Sequence, residues 1–295
     1  MANPAARIIP LLPMTPESLA FSDVVALVAL VAMCAMFMLY RRRAERARQA
    51  EELSLSDPLT GLRNRRFLDQ VIGMDVATSL RHHRDAAIMG LPATDADLVF
   101  LLLDIDHFKS VNDEFGHGVG DHVLREIANV LRKIGRESDA VLRWGGEEFL
   151  IVARFTDRRL ASATAERVRQ AIEMHPLRLP NGGTVSVTCS IGFAVFPFEP
   201  ARCEALSWEH VLTLADLATY DAKRNGRNRW VGYVSAGTIP AVDELRSVQH
   251  TTALVDGGRM IRMTSCATHA IEDPAEPPRL QLLEDPPALR AVQSR

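Results

Sequence analysis

Cysteine is scarce in this 295-residue chain. Cys34, Cys189, Cys203 and Cys266 lie far apart, so neither a disulfide framework nor a zinc site is expected, and a reducing compartment fits. Cys189 sits in a strand-like run and reads as a small buried hydrophobe. Excess positive charge is also missing. The formal net charge is −3, so no global basic field argues for a duplex nucleic-acid partner, and no nucleic acid is expected. Periodic pattern is missing from residues 236–295, and Ile271–Arg295 is rich in Pro and Glu. This C-terminal extension is expected to be largely disordered.

Charge is absent from one stretch near the start. Val24–Tyr40 carries no charged residue, and Leu19–Phe21 extend the apolar run past Ser22 and Asp23. At about 1.5 Å per residue, a helix over residues 21–40 can cross a hydrocarbon core of roughly 30 Å. Arg41, Arg42, Arg43, Arg46 and Arg48 follow at once, whereas only Arg7 and the amino terminus precede it. The positive-inside bias therefore predicts a single-pass inner-membrane anchor with the rest of the chain in the cytoplasm. A cleaved signal peptide fits less well, because the basic cluster follows the apolar run and no small-residue cleavage site comes after it. Residues 1–20 read as a short extracytoplasmic tail, too short for a sensory domain. Residues 41–56 read as a helical linker with too few apolar positions for a sustained heptad seam.

The chain is 47% hydrophobic, enough for one good-sized core. Leu98–Leu103 is a continuous apolar run, as expected of a strand buried on both faces. It ends in Asp104-Ile105-Asp106-His107-Phe108-Lys109. Acids at the end of a buried strand are costly unless exposed or paired with a cation. Further on, Ala140–Leu142 and Phe149–Ala153 flank Arg143-Trp144-Gly145-Gly146-Glu147-Glu148. Two β-rich runs joined by Gly-Gly predict a hairpin with a tight turn. Glycine lets a large ligand approach the main chain, and adjacent acids can hold a hard cation beside it. Asp104 and Glu147 are expected to meet around one metal if the two elements are neighbours.

Helical spacing of apolar residues predicts helices over Arg65–Arg81 (Asn64 as N-cap), 119–134, Arg158–Met174 and Trp208–Arg224. Residues 82–97 read as a loop. Thr184–Phe198 reads as a strand interrupted at Gly192, and Arg229–Val234 as a last strand. Helices mixed with hairpin strands predict an α+β fold with a central mixed, partly antiparallel sheet flanked by helices.

These motifs in this order resemble the GGDEF family of diguanylate cyclases. The resemblance is carried by Asp57-Pro58-Leu59-Thr60-Gly61-Leu62-Arg63-Asn64-Arg65-Arg66, by Asp104–Lys109, and by Asn112-Asp113 with Phe115-Gly116-His117. It continues through Gly120-Asp121, Gly145–Phe149 and Ala222-Lys223-Arg224-Asn225-Gly226-Arg227-Asn228. It spans about residues 54–235, and the catalytic domain is expected over 57–235. The Gly-Gly turn carries Glu-Glu where the family name has Asp-Glu; either acid serves as an oxygen ligand. Ala218-Thr219-Tyr220 stands where Ala-Leu-Tyr is more familiar.

The resemblance implies a nucleotide-cyclase or palm-like fold and Mg²⁺-dependent condensation of two GTP into cyclic di-GMP, with Mn²⁺ as a second usable ion. It implies Asp104, Glu147, Glu148 and the Ile105 carbonyl as metal ligands, with Glu147, Glu148 and Lys109 at the chemistry. Asn112 and Asp121 would read guanine, and Lys109, Lys223 and Arg227 would take the phosphates. Alone, Asn112 reads as a turn residue and Asp121 as a helix N-cap. Arg136 and Asp139 match the family's inhibitory product site, although Arg-x-x-Asp is ordinarily a surface salt bridge. Arg143 is a further phosphate or product contact. One GTP per site implies a homodimer. The alternative is a catalytically inactive relative that binds GTP or cyclic di-GMP as a receptor. Hydrolysis of cyclic di-GMP would need a separate domain for which no length is left.

Overall fold

A computed structural model describes residues 21–179, 183–245 and 247–265. The expectations for residues 1–20, Ile271–Arg295 and Cys266 lie outside them. The chain divides into two compact units, Met1–Glu52 and Leu53–Arg295.

The first unit holds most of α1, an unbroken helix from Phe21 to Ser54. By length and composition, Val25–Arg43 can cross a membrane, a test that a signal sequence also passes. Its large apolar side chains from Val25 to Tyr40 are exposed.

In the second unit, β1 (Arg63–Asn64) leads into α2 (Arg65–Met89), then β2 (Asp97–Ile105), α3 (Phe108–Phe115) and α4 (His117–Ile134). The hairpin of β3 (Ala140–Gly145) and β4 (Glu148–Thr156) follows, then α5 (Ala161–Glu173) and the short pair β5 (Leu177–Arg178) and β6 (Thr184–Val185). Next come β7 (Cys189–Phe196), α6 (Trp208–Arg224), β8 (Trp230–Ser235), α7 (Val248–Asp256) and β9 (Met260–Thr264). Seven strands form one mixed sheet in the order β1-β3-β4-β2-β7-β8-β9; β5 and β6 pair separately.

β2 is central, antiparallel to both β4 and β7, and every one of its residues is buried. Its alternation sorts the core. Val99, Leu101, Leu103 and Ile105 pack with apolar residues of α4 and α5, while Leu98, Phe100 and Leu102 pack with those of α2 and α6. Layers on both faces are why its sequence is continuously apolar.

The structure differs from the sequence expectation at four places. First, α2 runs past Arg81 to Met89, where Gly90 ends it at φ 67°. Within this added stretch, buried His83 bonds Asp97 through Nε2 at 2.9 Å and ties the helix to β2. Second, residues 108–115 form a helix of their own. Third, β7 passes through Gly192 without interruption, and it is Thr184–Val185 that separates into β6. A Cβ at Gly192 would lie 2.0 Å from the Ala215 carbonyl oxygen and 2.2 Å from the Thr219 nitrogen. Glycine there lets α6 press directly onto the sheet. Fourth, part of the extension expected to lack order is folded. Residues 248–256 form α7, and β9 pairs with β8 as the outermost strand. Its short, mixed segments carry no periodicity of their own and are shaped by the β8 edge. Cys189, as expected, is buried, and burial pushes its thiol well up.

Gly192→Ala is therefore expected to destabilise the second unit by about 3 kcal/mol through overpacking. Urea denaturation measures this; an unchanged midpoint would show that α6 can back away from the sheet at no cost.

Candidate active site

The two acidic motifs converge at one end of the β2–β4 ladder. Asp104 is paired in register with Glu148 on β4 and with Ser190 on β7. The Gly145-Gly146-Glu147 turn hangs over the end of β2, where the Ile105 N–H donates to the Glu147 carbonyl at 3.4 Å. Gly146 adopts φ 45°, and a Cβ there would meet no neighbouring atom within 4 Å, so the turn presents bare backbone.

The carboxylates repel one another. Burial raises the Asp104 pKa above its ordinary value, and Glu147 and Asp106 add to the rise against the opposing pull of Lys223. The Lys223 ammonium touches Asp104 Oδ2 at 2.6 Å. Burial likewise raises Glu148, and Asp104, Asp216 and Glu147 push it further. Asp216 on α6, itself raised by burial, was not singled out in the sequence. Its only signal there was an acid inside an otherwise apolar helical stripe. The set is over-supplied with negative charge for one lysine, as oxygen donors awaiting a divalent cation would be. Among the described residues no three acid, His or Cys side chains converge closely enough to enclose an ion. Mg²⁺ commonly takes one or two carboxylates and fills its remaining positions with substrate phosphates and water. One or two carboxylates drawn from Asp104, Glu147 and Glu148, with a main-chain oxygen, would fit that pattern.

Asp106 behaves differently from its neighbour Asp104. It is buried and accepts hydrogen bonds from Thr188 Oγ1 (2.7 Å), Ser190 Oγ (2.7 Å) and the Asn228 N–H (3.0 Å). It fastens β2 to β7 and to the turn after α6. That turn holds Gly226, Arg227 and Asn228 at φ 108°, 57° and 43°. Two consecutive non-glycine residues in the left-handed region are strained, and such strain collects at functional sites. The Asn228 side chain is pinned by Arg169 (2.8 Å) and Glu173 (2.6 Å) of α5.

Asn112 on α3 lies against Gly120 of α4, the residue that precedes Asp121. A Cβ at Gly120 would lie 1.9 Å from Asn112 Oδ1, so glycine there makes room for the asparagine next to Asp121. Asn112 lies inside a helix rather than in a turn, and Asp121 lies beyond the first turn of α4, whose N-cap is Gly116. Neither bland role applies. Lys109 stands exposed in the first turn of α3. Arg227 is exposed and near enough to His107 to help burial lower that imidazole's pKa.

Arg143 is engaged within the protein. Its Nε and a terminal nitrogen donate to the Gly146 carbonyl (3.0 and 2.8 Å), and its other nitrogen meets both Asp57 oxygens at 3.1 Å. Burial favours protonation of Asp57, but hydrogen bonds from Thr60 and Arg143 outweigh it and hold the carboxyl below its ordinary range. The Asp57–Thr60 motif thus clamps the Gly-Gly turn. Arg143 therefore has a structural role that the sequence did not indicate.

Arg136 and Asp139 bracket the α4–β3 turn. Asp139 accepts from the backbone N–H groups of Arg136 (2.9 Å) and Arg154 (3.3 Å), not from the Arg136 guanidinium. The surface salt bridge is absent among the described residues.

A family model described as "Diguanylate cyclase, GGDEF domain" matches residues 54–229. The chain belongs to this family. Among its relatives, diguanylate cyclase DgcP of Pseudomonas aeruginosa is 42% identical over 176 residues, covering 60% of this chain and 23% of DgcP. Diguanylate cyclase DosC of Escherichia coli is 37% identical over 173 residues, 59% of this chain and 34% of DosC. The match thus spans about a quarter to a third of these proteins' lengths. The GGDEF domain also resembles a solved structure of the coiled coil and GGDEF domain of DgcB from Caulobacter crescentus in complex with c-di-GMP. There the TM-score is 0.55 and the identity 28%, over 68% of this chain and 96% of that one.

Proposed function

We propose that this chain is a membrane-anchored diguanylate cyclase that condenses two GTP into cyclic di-GMP and releases two pyrophosphates. One observation carries the reading: Asp104, Glu147 and Glu148 gather beside a bare Gly-Gly turn with more negative charge than Lys223 offsets. Mg²⁺ or Mn²⁺, held by Asp104, Glu147, Glu148 and the Ile105 carbonyl, would neutralise triphosphate charge and acidify the attacking 3′-hydroxyl.

The remaining steps belong to the side chains. Asp121 accepts from the N1–H and amine of guanine beside Asn112. Adenine has an acceptor at N1 and would leave that carboxylate unpaired, so GTP is selected. Lys109, Lys223 and Arg227 provide charge-assisted donors to the triphosphate. Glu148, paired in register with Asp104 and adjacent to Glu147, is placed either to ligate the metal or to accept the 3′-hydroxyl proton. Each domain holds one GTP, so the two reacting ribose and α-phosphate centres meet only when two copies face each other.

The deciding assay incubates the purified chain with GTP and Mg²⁺ and identifies the product by mass spectrometry. Cyclic di-GMP is expected, with specific activity falling on dilution into monomer. Asp104→Ala is expected to lower turnover by about 100-fold or more. Formation of another nucleotide, or undiminished turnover by that variant, would overturn the assignment.

Arg136 and Asp139 are proposed to bind cyclic di-GMP as an inhibitor. The support is an exposed guanidinium with no partner among the described residues, on a turn that Asp139 rigidifies. A guanidinium can grip a guanine edge or a phosphate bidentately. Arg136→Ala is expected to weaken inhibition by added product about tenfold or more at unchanged initial rate; an unchanged inhibition curve would defeat the site.

The anchor is proposed to be α1 over residues 21–40, with the catalytic domain on the cytoplasmic side. Carbonate-washed membranes of the inner-membrane fraction should retain the full chain and release one begun at residue 53. Release of both would remove the anchor.

A further inference from the structure

The cation-bearing end of α6 is held from two directions. On one side, Asp106 and α5 pin Asn228. On the other, the support comes from β9, a strand beyond the family-matched residues 54–229. Arg262 of β9 donates its Nε to Asp221 Oδ2 at 2.6 Å. Asp221 is 8% exposed. It also accepts from the Tyr233 hydroxyl at 3.0 Å and from the Asn225 amide. Tyr233 in turn bonds Thr251 of α7. Tyr233 and Arg262 are register partners across β8 and β9, so their side chains stand on the same face of the sheet and reach the same carboxylate.

Asp221 also organises the end of its helix. The Asn225 amide that meets the carboxylate donates to the Asp221 carbonyl as well, at 2.8 Å, and the Asn225 N–H bonds that carbonyl at 3.1 Å. Asn225 is the C-cap of α6 and opens the strained turn that presents Arg227. Lys223 lies two residues after Asp221, nearly opposite it around the helix, with its ammonium on Asp104. Without Arg262, the buried carboxylate would keep only neutral donors. A buried charge that loses its counterion is destabilised far more than a solvated one. It would turn toward water, free Asn225, and let the last turn of α6 rotate.

We infer that Arg262 is a positioning residue for Lys223 and Arg227, acting through Asp221, so that the C-terminal strand tunes the grip of the site on a triphosphate. The inference rests on the proposed assignment of those two cations to the phosphates. It differs from a general stabilising role, because the loss of two binding groups' aim weakens substrate and transition state alike and moves KM rather than kcat.

The test compares the native full chain with Arg262→Met and Arg262→Lys in detergent. It measures GTP kinetics and calorimetric binding of inorganic tripolyphosphate with Mg²⁺. Arg262→Met is expected to raise KM about fivefold and weaken tripolyphosphate by a similar factor, with kcat changed less than about twofold. Arg262→Lys, which keeps the charge, is expected to restore KM to within about twofold of native. Should Arg262→Met fail to fold, the near-isosteric Asp221→Asn must show the same KM rise. Native KM and native tripolyphosphate affinity in a folded variant would overturn the inference alone. A native chain that binds no tripolyphosphate would overturn the phosphate assignment together with it.

Discussion

Mutual repulsion among three carboxylates is the constraint on which this molecule turns. Strand register forces Asp104 against Glu148, and the hairpin turn adds Glu147. Buried and half-buried acids of like charge are unfavourable unless something positive joins them. Within the described residues that something is the Lys223 ammonium, contributed by a helix far along the sequence from β2. One lysine does not offset three acids, and this imbalance is the basis of the proposed divalent-ion site.

Much of the surrounding architecture keeps this arrangement in place. The Arg143 bridge from Asp57 to the Gly146 carbonyl fixes the turn. Gly192 permits α6 to lie against β7, which sets how far Lys223 must reach. Asp106 satisfies its charge internally through Thr188, Ser190 and Asn228 and so holds the strained turn that carries Arg227. Two aspartates two positions apart therefore have different fates. Asp106 is held by internal hydrogen bonds and is structural, whereas Asp104 meets Lys223 beside the Gly-Gly turn.

The outermost strand extends this logic past the family domain. β9 covers the edge of β8 and delivers a guanidinium to Asp221. An uncovered strand edge invites unwanted pairing. Here it also closes a polar network among α6, β8, α7 and β9 behind the site, and buried networks of this kind stiffen what they join.

Local pattern was enough to read β2 from its unbroken apolar run, the hairpin from Gly145-Gly146 between β-rich segments, and the Asn64 cap of α2, whose side chain accepts from the Phe67 N–H at 3.2 Å. The convergence of Asp104 with the Gly-Gly acids was legible because strand ends and turns dictate where neighbouring side chains point. Arg143, Asp216, Asp221 and Arg262 were not legible in those roles. Each acts through a partner between 41 and 86 positions away, as Arg262 does with Asp221 and Arg143 with Asp57, or through like charge across a helix–sheet contact, as Asp216 does with Glu148. The length of α2 and the order in β9 escaped for the same reason: His83 is buried only because Asp97 meets it, and β9 exists only because β8 offers an edge. Periodicity and turn chemistry are written in adjacent residues, so the chain announces its elements and the acids at their ends. Which charges are cancelled and which stay available is settled by long-range contact, because burial and counterions exist only once the layers have packed.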